Sequence, residues 1–139
     1  MTRLEQEVRA KVYEMFRHGA VEITPDAVAA EGGWSRVAVK QALANLAAQH
    51  RLALKPDGAV WMAHPFSGVE TGYRAHVGEQ VWNANCAWDA LAILALFGDG
   101  RAEGPNGLMW SVRDGLVEPD GLVHLLVPVR EFWDDIGFT

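Results

Sequence analysis

Residues 73–98 read Tyr73-Arg74-Ala75-His76-Val77-Gly78-Glu79-Gln80-Val81-Trp82-Asn83-Ala84-Asn85-Cys86-Ala87-Trp88-Asp89-Ala90-Leu91-Ala92-Ile93-Leu94-Ala95-Leu96-Phe97-Gly98, and this stretch decides the fold. Its first part alternates over Tyr73–Val77 and Gln80–Ala84 and turns at Gly78-Glu79, which predicts a hairpin. Its second part opens at a good helix cap, Asn85, closes at a good stop, Gly98, and is apolar all round between them. That pattern predicts a buried helix set on a small antiparallel sheet.

Upstream, Leu4, Val8, Val12 and Met15 recur at helical spacing with Phe16 alongside, predicting an amphipathic helix over 4–17 that stops near Gly19. Thr24-Pro25-Asp26 offers a cap and a proline at the first helical position, so a short helix runs from there to about residue 30 and ends at Gly32-Gly33. Ser35 caps a third helix, with Val37, Val39, Leu43 and Leu46 as its buried stripe. Residues 52–54 and 59–62 flank Lys55-Pro56-Asp57-Gly58, a hairpin with Asp-Gly at its tip. Three helices and a hairpin are the order of a winged helix-turn-helix. In that reading residues 35–45 display Arg36, Lys40, Gln41 and Asn45, and Lys55 sits on the wing, all side chains able to meet bases or phosphates. A solvated helix face accounts for the same residues. His18 and His50 lie near helix ends, where a surface histidine suits the helix dipole.

His64-Pro65-Phe66-Ser67-Gly68 has the look of a linker. It divides a winged-helix-like domain, 1–65, from a second α+β domain, 66–139, and is too short to hold them far apart. Beyond Gly98, the Gly-rich residues 98–107 read as an exposed loop. Residues 108–112 and 122–127 read as strands around the turn-rich stretch 114–121. His76 and His124 fall in strand patterns, where a satisfied or exposed histidine is commoner than a ligand. The expected class is α+β: a three-helix unit, then a small antiparallel sheet with one buried helix.

The 139 residues are 50% hydrophobic and 22% charged and include six tryptophans, which excludes a disordered chain. The longest apolar run, 90–97, is too short to cross a bilayer, and residues 1–11 hold no hydrophobic signal core. A cytoplasmic location with no membrane partner is expected. Residues 1–65 carry 8 basic and 7 acidic side chains, whereas 66–139 carry 4 and 11. An acidic second half argues against wrapping nucleic acid there, and a first half that is neutral rather than basic weakens, without excluding, a DNA reading through residues 35–45. Cys86 is the single cysteine, which excludes an internal disulfide and a zinc site built mainly from Cys.

Cys86 and Asp89 carry the chemical signal. At the start of a helix, free N–H groups and the dipole favour a thiolate. A carboxylate one turn away opposes it, so the pair is expected to share one proton between thiol and carboxyl. A soft metal captured by the thiolate would pass that proton to Asp89, leaving a general acid beside the metal. A buried structural cysteine and an aspartate that serves only the helix dipole fit the same spacing. Trp82 and Trp88 flank the site and are candidates to line an apolar pocket, or are core residues.

The run Asn85-Cys86-Ala87-Trp88-Asp89-Ala90-Leu91, entered from a hairpin and followed by an apolar helix ending in Phe97-Gly98, resembles the core segment of the organomercurial (alkylmercury) lyase family. The winged-helix-like first half resembles that family's N-terminal domain, so the likeness covers most of the chain. It implies a lyase that protonates a carbon–mercury bond, with Cys86 as the mercury-binding thiolate and Asp89 as the proton shuttle. Mercury is then substrate and product, and no dissociable cofactor is implied. The sequence departs from the family in lacking its second cysteine, whose place falls near Trp133 or Asp134. An external thiol is the natural substitute. Two other classes fit the sequence: a non-catalytic binder of a metal or small ligand, and a winged-helix transcriptional regulator.

Overall fold

A computed structural model of the chain describes residues 1–137. Three helices open it: α1 (Arg3–Arg17), α2 (Pro25–Gly32) and α3 (Arg36–Ala48). At the start of α1, Glu5 N–H donates to Thr2 Oγ1 (3.2 Å) and Thr2 N–H donates back to Glu5 Oε2 (2.7 Å), a reciprocal cap. Glu5 is buried, and its other oxygen accepts from Asn45 Nδ2 at 2.9 Å, so one carboxylate both caps α1 and ties it to α3. The bond from Asn45, followed by that from Thr2, holds this carboxyl below its ordinary range.

Helix α3 departs from expectation at one position. Its buried stripe is Val39, Ala42, Leu43 and Leu46, while Val37 is 78% exposed. Two residues turn an α-helix by about 200°, so Val37 cannot share a face with Val39.

Among the described residues eight strands follow, all pairing antiparallel: β1 (Ala53–Leu54), β2 (Val60–Ala63), β3 (Phe66–Ser67), β4 (Tyr73–Val77), β5 (Gln80–Ala84), β6 (Gly100–Glu103), β7 (Met109–Arg113) and β8 (Leu116–Glu118). They form one sheet in the order β1-β2-β3-β5-β4-β6-β7-β8. With the helices, this is the expected α+β class. The segment read as a linker is part of the sheet. Phe66 pairs with Ala63 on one side and Ala84 on the other, is 3% exposed, and stacks on Phe16 at 5.3 Å. One sheet and one hydrophobic cluster therefore run across residue 65.

Two further expectations are corrected downstream. Residues 100–103 are a strand rather than loop, with Ala102 fully buried opposite Ala75. Glycine makes this approach feasible: a Cβ on Gly100 would lie 2.1 Å from the His76 carbonyl oxygen. Residues 122–127 form no strand and are mostly exposed. The partner of β7 is instead β8, reached through Asp114-Gly115 with φ of 51° and 77°, a two-residue turn that closes the hairpin early.

Helix α4 (Ala87–Phe97) packs on β4, β5 and β6. Although apolar all round in sequence, it buries one face, through Asp89, Ala90, Ile93 and Leu94, and leaves Trp88 and Leu96 58% and 63% exposed. The sheet covers a single side of the helix. No helix among the described residues is long and apolar enough to cross a membrane.

The different environments of Leu43 and Val37 predict opposite sensitivities in urea unfolding. Leu43→Ala should lose about 2–5 kcal/mol of stability, whereas Val37→Ala should stay within about 0.5 kcal/mol of the parent. Similar losses for both would contradict the placement of α3.

Candidate active site at the start of helix α4

Cys86, rather than Asn85, is the N-cap of α4, with extended backbone at φ −154° and ψ −177°. Asp89 is then the third helical residue, the position whose carboxylate in a capping box folds back onto the cap's own N–H. Here it turns into the protein. Asp89 is 5% exposed. Its Oδ1 accepts from His64 Nδ1 at 2.7 Å and its Oδ2 from Asn85 Nδ2 at 2.7 Å.

The sheet register places both donors. Ala63 pairs with Phe66, so His64-Pro65 is the tight turn between β2 and β3. Phe66 in turn pairs with Ala84, which brings that turn beside Asn85 at the end of β5. Tyr13 of α1 fixes the turn from the other side, its hydroxyl donating to the His64 carbonyl oxygen at 3.0 Å. The Asn85 amide also faces the Pro65 and Phe66 carbonyl oxygens, at 3.4 and 3.3 Å. Three acceptors around one NH₂ group fix the orientation of the amide and leave its buried Oδ1 without a partner.

Cys86 is half-buried and free. Burial pushes its thiol above the ordinary range. The backbone N–H groups of Asp89 and Trp88 oppose that shift without making a capping hydrogen bond, and the Asp89 charge reinforces it. The resting sulfur is therefore a thiol. The His64 imidazole is raised above its ordinary range by its bond and attraction to Asp89, against the effect of its own partial burial.

The other sequence candidates are dispersed. Trp82 is 7% exposed, stacks on Phe97 at 4.7 Å and donates Nε1–H to the Phe16 carbonyl oxygen at 2.9 Å, a core residue. Trp88 points outward. The structure does not gather the two indoles around Cys86. A cavity of about 10 Å³ touches Trp82, and a groove of about 330 Å³ is lined by Met1, Gln6, Arg9, Ala10 and Tyr13; neither is lined by Cys86 or Asp89. Trp133, where the resemblance puts a second cysteine, stacks on His50 at 4.5 Å just beyond α3. His76 pairs with Glu103 at 3.1 Å, and His124 is exposed. Of the side chains that the sequence offered for DNA contact, Arg36 pairs with Asp26, Gln41 with Asn45, Asn45 with Glu5 and Lys55 with Glu22. Among the described residues no three His, Cys, Asp or Glu side chains assemble as a metal site.

His64 is the residue that sequence reading missed. It lies 25 positions before Asp89 in a segment with linker composition, and nothing local marks it. Asn85 was legible only as a cap.

The fold has a solved counterpart. A mercury-bound form of MerB2 superposes on 86% of this chain and 69% of its own, with a TM-score of 0.56 and 19% sequence identity. The fold is MerB-like. No protein-family model and no curated protein matches the sequence, so the likeness to MerB2 rests on the fold.

Two titrations test the site. The His64 ring, followed by NMR, should titrate above 6.5, and in Asp89→Asn it should fall back to that value or lower. Because the folded state raises this group, the pair's stabilisation is present at about pH 5.5 and lost as pH rises through the folded value, so Asp89→Asn should cost more stability at about pH 5.5 than at about pH 9. Alkylation of Cys86 against pH should show its midpoint moving down in Asp89→Asn, since a charge opposing the thiolate is gone. An unmoved midpoint would separate thiol and carboxyl electrostatically.

Proposed function

We propose that this chain is a MerB-like protein that cleaves a carbon–mercury bond by protonation, with Cys86 as the attacking sulfur and Asp89 as the proton shuttle. The observation that carries this reading is a half-buried thiol at the N-cap of α4 one turn from a buried, doubly hydrogen-bonded carboxylate. The fold shared with a mercury-bound protein supports it.

In the proposed reaction the Cys86 S–H bond breaks as sulfur bonds to mercury, and the proton moves to Asp89. The free N–H groups at the start of α4 favour the thiolate while it forms. The carbon leaving mercury must gain a proton, and Asp89 gives back the one it has just received. The products are a hydrocarbon and mercury held on Cys86, so mercury is substrate and product and the chemistry calls for no resident cofactor. Mercury prefers two sulfur ligands, and the chain has one cysteine. A small external thiol supplies the second and carries the metal away.

The lone cysteine also favours a second reading, a binder that holds mercury or another soft metal without turnover. Hydrocarbon release from a simple organomercurial, measured with and without added thiol, distinguishes the two. On the lyase reading, release exceeds that of thiol alone, Asp89→Asn suppresses it by about 10²-fold or more while sparing mercury binding, and Cys86→Ser abolishes both. If the parent binds mercury and releases hydrocarbon no faster than thiol alone, the binding reading replaces it.

A further inference from the structure

Asp89 is 5% exposed, and both of its oxygens are occupied, one by Asn85 and the other by His64. A side-chain amide does not pass protons near neutral pH. An imidazole does, because its two nitrogens exchange donor and acceptor roles there. The His64 side chain is 67% exposed, so one ring edge bonds the buried carboxylate while the rest meets water. The other ionisable group in this cluster is the Cys86 thiol, and the element behind the turn presents Tyr13, which is engaged with the His64 backbone. From this geometry we propose that His64 is the route by which Asp89 exchanges its proton with solvent.

His64 is a positioning residue here, acting through Asp89 and not on substrate. The inference deepens the lyase reading by taking Asp89 as the acceptor of the thiol proton, but it does not need turnover to be tested. Mercuric ion alone exercises the path. As the S–H bond of Cys86 breaks and the S–Hg bond forms, the proton passes to Asp89. The His64 ring, which donates from Nδ1 in the resting structure, first changes tautomer through water, giving up its Nδ1 proton and taking one on Nε2. The proton on Asp89 Oδ1 then moves to the freed Nδ1. The ring then loses the Nε2 proton to water and is left donating from Nδ1 to the carboxylate, the hydrogen bond seen in the structure. One thiol proton reaches solvent, and nothing is oxidised or reduced. Solvent exposure of the ring lets its two tautomers exchange between events.

The test is stopped-flow mixing with mercuric chloride at about pH 8, reading mercury–thiolate absorbance and a pH indicator together. In the parent, proton release should keep pace with mercury binding. His64→Gln keeps a donor to Asp89 but cannot relay, so binding should be unchanged while the proton lags by about tenfold or more. The lag should vanish in the double variant His64→Gln/Asp89→Asn, where no carboxylate takes the thiol proton. His64→Gly should show the same lag and lose it on adding free imidazole, a rescue that a merely structural role does not predict. Synchronous binding and proton release in both single variants overturns the proposal. That result leaves the lyase reading untouched, just as failure to release hydrocarbon leaves this measurement standing.

Discussion

A carboxylate taken out of water has to be met by donors, and at Asp89 that requirement organises the middle of the molecule. The two donors come from separate places in the chain, the β2–β3 turn and the end of β5. They converge because β3, two residues long, sits between β2 and β5. The three-helix unit is drawn in as well: Tyr13 holds the His64 turn, Phe16 stacks on Phe66, and Trp82 bonds the Phe16 carbonyl oxygen. An unpaired buried charge is costly, and the Tyr13 contact ties the turn that carries one of the two donors to α1. Candidate site and fold are thus one arrangement, with Asp89 and its two donors at the seam between the helical segment and the sheet.

Much of this was legible from local pattern. The caps at Thr24 and Ser35, the 73–84 hairpin and the start of α4 follow from spacing and residue type, and they appear within a residue or two of expectation. The reading failed where tertiary pairing decides. Phe66–Ser67 is too short to show a strand period, and its flanking Pro65 and Gly68 read as punctuation. Gly100 reads as loop composition but is the residue that lets β6 lie against β4. Residues 122–127 have strand composition but no partner, because β8 has already taken the edge of β7. In the site, the cysteine and the aspartate share a helical turn and could be paired from sequence, whereas the His64 contact spans 25 positions. Long-range hydrogen bonds leave no periodic trace.

Helix α4 shows why hydrophobicity alone does not determine burial. Its side chains are apolar in every direction, yet a single sheet can cover only the face carrying Ala90, Ile93 and Leu94. The face carrying Trp88 and Leu96 lies open to solvent. The polar Asp89, by contrast, is among the most buried residues of the helix, because its partners and not its hydropathy set its position. The apolar pattern correctly predicts a helix against a sheet, while the identity of the buried face follows from where β4, β5 and β6 lie.

On the proposed reading, a site with one sulfur shifts where the difficulty of the reaction lies. Two protein thiolates would hold mercury tightly and make its release the slow event. A single thiolate binds less firmly, and because Cys86 is half-buried rather than sealed, a small thiol can reach the metal from outside. Proton delivery is less affected, since Asp89, Asn85 and His64 form a self-contained set that does not depend on a second cysteine. Burial keeps the resting sulfur protonated, so it carries into the reaction the proton that the departing carbon requires. Capture is thereby weakened while protonation stays intact. Whether such a site turns over or merely holds its metal then depends on the thiol supplied from solution.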